Sequence, residues 1–286
     1  MTVLEVIQRS AAFLAGKGVE SPRRNVEELL AHVLGLPRLQ LYLQFDRVLT
    51  ASQTDAAREL VQRRGRREPL QHLVGSVSFC GLELTVGPQA LIPRPETELL
   101  AEAAARFLAG LEAREPEVLD FGAGSGCLAV TLAVKVQAAR VHALDISPAA
   151  LELARRNAAA HGVADRIAFH CGDGLAAAPS GTTLDLIVSN PPYIPTAEIA
   201  RLEPEVRDHD PRAALDGGAD GLDYYRLLAA EARPLLEPEG RIMLELGDGQ
   251  AESVRELFHG QKWIVESIFE DYCRCPRVFV ARRGQG

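Results

Sequence analysis

The first 75 residues place their hydrophobic positions at helical spacing. Ser21 and Pro22 form an N-cap and N1 pair, and Thr50 with Gln53 forms a capping box for a later helix. The apolar residues after Pro22 fall on one face, as in an amphipathic helix packed on a core. The pattern therefore predicts a small all-α domain over residues 1–75. The apolar face consists of Val26, Leu29, Leu30, Val33 and Leu34.

Residues 76–92 have a different pattern. They begin with alternating apolar and polar positions rich in β-formers, which predicts a short hairpin that serves as a linker. Two prolines then flank Arg94 and stiffen the backbone, as is typical of a domain boundary. Glu96 or Thr97 is predicted to cap a helix that begins near Glu98, and an equally weighted alternative is that Arg94, Glu96 and Thr97 contact the cofactor or the substrate.

From residue 93 to residue 286, short apolar runs alternate with helical stretches. Such alternation predicts a doubly wound parallel sheet, and the last two runs predict an antiparallel hairpin at its edge. The fold class is therefore α/β, preceded by the small all-α domain. Strands are predicted at 117–121, 140–145, 166–171, 184–189 and 241–246, with the edge pair at 263–269 and 277–281.

Charge is distributed unevenly along the 286 residues, whose formal net charge is −8. Before residue 76 there are 11 basic and 8 acidic residues, and after residue 75 there are 20 and 31. Because a duplex-binding protein needs a strongly basic face, we expect no stable nucleic-acid binding. One basic run lies in the first domain, and we interpret it as a solvated helix end rather than as a partner contact. The run is Arg63, Arg64, Arg66 and Arg67.

The cysteines give no sign of a metal site or a disulfide framework. Their number is odd, and none belongs to a Cys-x-x-Cys pair. The N-terminus lacks a signal sequence, and no run of about 18 apolar residues occurs, so we expect a cytoplasmic protein without membrane contact. The cysteines are Cys80, Cys127, Cys171, Cys273 and Cys275.

The most informative tetrapeptide is Asn190-Pro191-Pro192-Tyr193. It follows the apolar run 184–189, which indicates a buried strand, and in open α/β sheets ligands bind at the ends of such strands. The two prolines stiffen the backbone and leave its carbonyls free to accept hydrogen bonds. The Asn190 oxygen and the Pro191 carbonyl match the two hydrogens of a planar –NH₂ group, and Tyr193 can cover its face. The competing interpretation is a Pro-rich turn with Tyr193 packed inward.

A glycine-rich loop follows the first predicted strand of the larger domain. Glycines let backbone N–H groups approach a ligand closely at a helix N-terminus. A dinucleotide fingerprint requires a third glycine at position 127, where this chain has Cys127. The loop follows Asp120 and comprises Gly122, Ala123, Gly124, Ser125 and Gly126.

Two further strand ends carry carboxylates. Asp145 is placed to accept both hydroxyls of a ribose, and Asp173 with Gly174 can hold an adenine amino group. Together with the glycine loop and the Asn-Pro-Pro-Tyr platform, they predict an S-adenosylmethionine site beside a site for an acceptor nitrogen. Each aspartate alone is equally compatible with a loop cap.

The chain resembles the HemK/PrmC family of protein-(glutamine-N5) methyltransferases over nearly its whole length. The shared features are Asp-x-Gly-x-Gly-x-Gly at 120–126, the aspartate ending the second strand and Asn-Pro-Pro-Tyr. The linker at 92–98 and the Asp-Gly-Gly-Ala-Asp-Gly-Leu segment at 216–222 are more specific to this family. The resemblance implies a Rossmann-like class I S-adenosylmethionine-dependent methyltransferase domain, preceded by a substrate-recognition domain.

The resemblance also implies an activity. The enzyme would transfer a methyl group to the side-chain nitrogen of the Gln in the Gly-Gly-Gln motif of class 1 peptide chain release factors, leaving S-adenosyl-L-homocysteine. It implies a monomer that needs no metal. The implied catalytic residues are Asn190, Pro191 and Tyr193; the substrate-binding residues are these and Pro192; the cofactor-binding residues are Gly122, Ala123, Gly124, Ser125, Gly126, Asp145, Asp173, Gly174 and Asn190.

Two other functions fit parts of the pattern. An adenine-N6 nucleic-acid methyltransferase would use the same platform for an exocyclic amine, although the acidic larger domain disfavours it. The second alternative is a non-catalytic module that binds the cofactor and a partner protein. The complete Asn-Pro-Pro-Tyr sequence disfavours this alternative.

Overall fold

The computed structural model describes residues 1–111, 115–179 and 181–284. The chain forms two compact units, the first made of Met1–Ser76 with Glu203–His209 and the second of Val77–Leu202 with the residues from Asp210 onward. In chain order, the helices and strands are α1 (Val3–Gly16), α2 (Pro22–Leu34), α3 (Ala51–Gly65), α4 (Leu70–Val74), β1 (Ser76–Phe79), β2 (Leu82–Thr85), α5 (Pro95–Ala109), β3 (Glu117–Phe121), α6 (Cys127–Lys135), β4 (Arg140–Asp145), α7 (Pro148–Ala160), β5 (Ile167–Cys171), β6 (Leu184–Ser189), α8 (Pro204–Arg207), α9 (Asp223–Glu231), β7 (Leu236–Glu245), α10 (Ala251–Gly260), β8 (Trp263–Glu270) and β9 (Pro276–Arg283).

The first unit is all-α, as the hydrophobic spacing predicts. The capping box of α3 is present, with Gln53 N–H bonded to the Thr50 hydroxyl and the Gln53 side chain bonded to Thr50 N–H. Ser21 does precede α2, but it has a left-handed φ of 47° and its side chain makes no capping bond. The predicted side-chain cap at Ser21 is therefore wrong.

Arg64 shows that the basic run of the first unit is not simply a solvated helix end. Its side chain is buried and donates to Asn25 Oδ1 and to Glu205 Oε1, both at 2.7 Å. Arg67 pairs with Glu205 and Glu203 at 2.6 and 2.7 Å. These ion pairs join segment 203–209 to the helices, because a buried guanidinium needs a charged or polar partner.

The second unit contains a seven-stranded sheet in the order β5-β4-β3-β6-β7-β9-β8. The first five strands of that order are parallel, and β9 runs antiparallel between β7 and β8. The chain moves outward from β3 in both directions, with β4 on one side and β6 on the other. The predicted doubly wound sheet with an antiparallel edge hairpin is therefore confirmed, and β3 lies at its topological switch point.

Helices cover both faces of this sheet. One apolar core includes Leu100, Leu108, Leu128 and Ala158 from α5, α6 and α7, and the other includes residues of α9 and α10. Strand β6 is buried along its full length, which explains its apolar residues Leu184 and Leu186–Val188. Within the described parts of the chain, no helix has both the length and the apolar character needed to span a bilayer.

Candidate active site

A cavity lies at the carboxyl ends of the parallel strands in the second unit, where the topology favours ligand binding. Its wall contains residues of the glycine loop, of the two loops that carry aspartates and of the proline platform. Gly126 and Tyr193 are absent from the wall. The predicted site residues that line it are Gly122, Ala123, Gly124, Ser125, Asp145, Asp173, Gly174, Asn190, Pro191 and Pro192.

The platform follows β6 and is tied to the neighbouring strand. The Ser189 hydroxyl donates to the Phe121 carbonyl at 2.6 Å, which joins the ends of β6 and β3. Asn190 Nδ2 donates to the Thr97 hydroxyl at 3.0 Å. Within the described part of the chain, neither Asn190 Oδ1 nor the Pro191 carbonyl accepts a hydrogen bond. Both oxygens are therefore without a partner in the described part of the chain, and Asn190 and Pro191 both line the cavity. Their joint use as an acceptor pair stays a prediction.

Thr97 was expected to cap a helix, and this expectation is wrong. Helix α5 begins at Pro95, earlier than predicted, with Arg94 at its N-cap position and no side-chain capping bond. The Thr97 side chain is buried, and its hydroxyl donates to Glu245 Oε2 at 2.6 Å. Thr97 thus connects the platform asparagine to a carboxylate at the end of β7. Glu96 is exposed on the same turn.

Glu245 is a functional candidate that sequence reasoning missed. It is 2% exposed and accepts hydrogen bonds from Thr97 and from the Tyr193 hydroxyl, the latter at 3.2 Å. Burial raises the pKa of the Glu245 carboxyl to about 7, although these two hydrogen bonds oppose the rise. The available signal was an acidic residue that ends the apolar run Ile242–Leu244, because a buried carboxylate requires partners.

Tyr193, the last residue of the platform, does not line the cavity. Burial raises the pKa of its hydroxyl, and the adjacent Glu245 carboxylate adds to the rise. Its carbonyl accepts from Gln250 Nε2 at 2.9 Å, so both its side chain and its backbone are held within the protein. The predicted contact between the Tyr193 ring and an acceptor amide stays a prediction.

The segment from Asp216 to Leu222 packs closely against the platform. Gly217 N–H donates to the Ile194 carbonyl at 2.9 Å, and a Cβ at Gly217 would lie 2.8 Å from the Pro192 carbonyl oxygen. Gly221 has a φ of 76°, and a Cβ there would lie 2.3 Å from the Tyr193 carbonyl oxygen. These two glycines are required because the backbones approach more closely than a side chain allows.

The glycine loop uses its amides within the protein. The N–H groups of Gly122 and Ala123 donate to the Leu144 carbonyl at 2.8 and 3.0 Å, and Gly124 N–H donates to Asp145 Oδ2 at 2.8 Å. These three amides are therefore already bonded within the protein, and the predicted contact of the loop with a cofactor stays a prediction. Gly122 still leaves room for a ligand, since a Cβ placed there would meet no atom within 4 Å.

Gly126 has a packing role. With a φ of 78°, it brings the start of α6 so close to α7 that a Cβ at this position would lie 2.9 Å from the Ala154 Cβ. Its predicted contact with a cofactor stays a prediction.

Three carboxyl groups border the cavity. Asp145 accepts N–H bonds from Gly124 and Ser147, one on each oxygen, which leaves further lone pairs on both. Asp173 is exposed and has no hydrogen-bond partner among residues 1–111, 115–179 and 181–284. Asp120, which the sequence analysis did not assign to the site, is 1% exposed and lines the cavity at the end of β3.

Asp120 has an unusual environment. One oxygen accepts from Ala129 N–H at 2.9 Å, and the other has no partner within the described residues. Burial raises the pKa of the Asp120 carboxyl to about 7, and the charge of Asp145 contributes to the rise. Asp120 therefore adds a buried carboxyl to the cavity wall, and in its ionised form that carboxyl favours a cationic ligand.

The charges of the cavity wall discriminate between classes of ligand. Arg94 lines the cavity, but it is paired with the buried Asp210 carboxylate at 2.7 Å. With three carboxyl groups in the wall and the amides of Gly122, Ala123 and Gly124 already bonded, the cavity disfavours a phosphate or pyrophosphate. It suits a ligand that combines hydroxyl groups, an aromatic amine and positive charge.

Comparisons with known proteins agree with this geometry. Residues 5–75 match the family model described as PrmC N-terminal domain, and residues 97–202 match the one described as methyltransferase small domain. A release factor glutamine methyltransferase of Geobacter sulfurreducens is 48% identical over 258 residues, which cover 90% of this chain and 88% of that protein. The enzyme of the same name from Chlorobaculum tepidum is 45% identical over 283 residues, covering 96% and 95%.

A solved structure shows the same fold. The crystal structure of a methyltransferase from Pyrococcus furiosus covers 72% of this chain and 91% of its own, with a TM-score of 0.53 and 20% identity.

Proposed function

The chain belongs to the family of release factor glutamine methyltransferases, and from this premise we propose that it methylates the side-chain amide nitrogen of the Gly-Gly-Gln glutamine in class 1 release factors, with S-adenosylmethionine as the methyl donor. The observation that carries the proposal is the pair of available acceptors, Asn190 Oδ1 and the Pro191 carbonyl, in the wall of a cavity lined by carboxyl groups.

The residues of the cavity fit S-adenosylmethionine. The unpaired Asp120 oxygen and the overall negative wall suit its positive charges, and Asp145 retains lone pairs for two ribose hydroxyls. Asp173 and Gly174 are available to the adenine amine, and the space beside Gly122 admits the ligand close to the backbone. When bound, S-adenosylmethionine supplies a methyl group activated by a positively charged sulfur.

Positioning is the main task of the protein in this reaction. An amide nitrogen is a poor nucleophile, since its lone pair is delocalised into the carbonyl group. Asn190 Oδ1 and the Pro191 carbonyl each accept one amide hydrogen and so fix the plane of the acceptor nitrogen. As positive charge develops on that nitrogen, the same two oxygens stabilise it without rearranging.

The Ser189–Phe121 hydrogen bond and the close packing of Gly217 hold the platform rigid. Rigidity matters because an acceptor pair that is displaced by about 1 Å loses much of its effect on the rate.

The proposal is tested by a transfer assay. Purified protein is incubated with isotope-labelled S-adenosylmethionine and an unmodified class 1 release factor, and the methyl group is located by peptide mass spectrometry. We expect label on the Gln of Gly-Gly-Gln and none on a factor in which that residue is Ala. Label that enters only DNA or RNA would replace the proposal with the adenine-N6 activity, and absence of any transfer would leave a binding module.

A further inference from the structure

The Thr97 hydroxyl has a single hydrogen, and its use determines the orientation of Asn190. An ionised Glu245 carboxylate can only accept, so the Thr97 hydroxyl must donate to it, as it does at 2.6 Å. The Thr97 oxygen must then accept, and the group that donates to it is Asn190 Nδ2 at 3.0 Å. Consequently, Asn190 presents its oxygen rather than its nitrogen to the cavity.

A protonated Glu245 would reverse this order. It would donate to the Thr97 oxygen, and the Thr97 hydroxyl would then be free to donate to Asn190 Oδ1. The amide of Asn190 would turn over and place its –NH₂ group in the cavity. The –NH₂ group of the substrate amide would then face a hydrogen-bond donor where it needs a hydrogen-bond acceptor. A hydrogen bond lost in this way is costly in a buried site.

We propose that Glu245 and Thr97 are positioning residues, and that the ionised carboxylate of Glu245 acts through the Thr97 hydroxyl to hold the Asn190 oxygen towards the cavity. The proposal rests on the function proposed above. It makes Glu245 and Thr97 responsible for selecting an amide over a carboxylate at the acceptor position, because a carboxylate has no hydrogens for two acceptors.

The burial of Glu245 brings its pKa into a pH range in which binding can be measured. Burial raises the pKa of the Glu245 carboxyl to about 7, so the carboxylate form is present above that pH and is lost as the pH falls through it. Asp120, in the same cavity, has its pKa raised to a similar value and must be distinguished from Glu245. The titratable groups that face Glu245 are Glu96, Cys127, Tyr193, Tyr225 and Arg277.

The experiment measures amide selectivity by calorimetry, without the methyl donor. The probes are a class 1 release factor with its native Gly-Gly-Gln and the same factor with Gly-Gly-Glu. At pH 8 we expect the wild-type protein to bind the Gln form roughly tenfold or more tighter than the Glu form. At pH 6 the ratio should fall severalfold, because Glu245 then carries a proton.

Variants separate the proposed role from a merely structural one. Thr97→Val has a similar shape but no hydroxyl, so it should reduce the Gln-to-Glu ratio at pH 8 roughly tenfold, and Thr97→Ser should restore it. Glu245→Gln cannot titrate and should abolish the change in ratio between pH 6 and pH 8. Asp185→Asn, at a buried carboxylate in β6 outside the cavity wall, should behave like the wild type.

Three results would overturn the proposal. The first is equal binding of both factors by the wild type, and the second is an unchanged Gln-to-Glu ratio in Thr97→Val. The third is wild-type pH dependence of the ratio in Glu245→Gln, because the titrating group would then be Asp120. The proposed function is judged separately, by methyl transfer to the Gln-containing factor. If the wild-type protein transfers the methyl group and any of these three results is observed, the proposed function stands and this mechanism of selection fails.

Discussion

Asp120 illustrates how a single residue can reduce stability for the sake of a site. Its carboxyl is buried with one oxygen unpaired among the described residues, and burial raises its pKa from 3.8 to about 7. A fold selected for stability alone would pair or remove this group. We attribute its presence to the positively charged ligand that the cavity is proposed to bind.

The raised pKa of Asp120 predicts how stability depends on pH in the absence of ligand. Between about pH 4 and pH 7 the unfolded chain loses this proton while the folded chain keeps it, so the free energy of unfolding falls as the pH rises. Asp120→Asn should remove part of that fall. The difference in free energy of unfolding between this variant and the wild type should therefore be more favourable to the variant at pH 8 than at pH 5, by on the order of 2 kcal/mol or more. Urea unfolding at the two pH values measures it.

Glu245 contributes in the same direction, because its pKa is also raised by burial. Glu245→Gln should therefore remove a further part of the pH dependence of stability. If Asp120→Asn unfolds with the full wild-type dependence on pH, the folded-state pKa of Asp120 is not raised and its unpaired oxygen has another explanation.

The sequence predicted those site residues that belong to a motif of consecutive residues. A strand end followed by Asn-Pro-Pro-Tyr indicates an acceptor platform, and the structure places Asn190, Pro191 and Pro192 in the cavity wall. Glu245 and its link to Thr97 were missed because their hydrogen bond joins residues 148 positions apart. Neither residue has a neighbour in sequence that reveals its partner.

At the scale of elements, apolar runs predicted every parallel strand of the large sheet, because buried strands need continuous apolar sequence. The main boundary error was β7, which begins at Leu236 rather than 241. The error arises at Glu237–Gly240, where polar residues and a proline interrupt the pattern and the pairing with β6 shifts register. The start of α5 was misplaced because its N-cap position has no side-chain capping bond to announce it.

The support that segment 216–222 gives to the platform predicts the effect of Gly217→Ala. The new methyl group would lie 2.8 Å from both the Pro192 oxygen and the Tyr193 Cα, so the platform must move. We expect kcat to fall roughly tenfold or more, with little change in cofactor affinity, since Asp145 and Asp173 belong to other loops. Single-turnover kinetics and calorimetry measure the two effects.

Gly260→Ala is the matched control, because a Cβ at that position meets no atom within 4 Å. It should leave kcat unchanged. A Gly217→Ala variant with wild-type kcat would show that the platform does not depend on this loop.

At the scale of the whole molecule, the sequence predicted a helical part before an α/β part, and the chain does form two compact units. It did not predict that segment 203–209 belongs to the helical unit. The responsible ion pair, Arg64 with Glu205, joins residues 141 positions apart, so no local pattern reveals it. The domain boundaries at 75 and 92, and the substrate-recognition role of the first domain, stay proposals.

The helical unit offers exposed apolar side chains for a protein substrate. Leu39 and Leu43 are 72% and 87% exposed, so both side chains are available for contact with a partner. We predict that Leu43→Asp raises KM for the release factor roughly tenfold or more and leaves cofactor affinity unchanged, because a buried charge opposes docking.

Ala56→Asp, at an exposed position of α3, introduces the same charge elsewhere on the unit and should leave KM close to wild type. An equal rise in KM for both variants would indicate a general charge effect, and no rise for Leu43→Asp would exclude this surface from docking.

In the proposed division of labour, the acceptor platform provides the chemistry while the carboxylate-lined cavity provides the cofactor site. The most direct test compares Asn190→Ala with Asp145→Ala, measuring the single-turnover rate of glutamine methylation and the affinity for S-adenosylmethionine. Asn190→Ala should slow the reaction roughly a hundredfold or more while changing the cofactor Kd less than about threefold. Asp145→Ala should mainly weaken cofactor binding. Equal losses of both properties in Asn190→Ala would contradict the account.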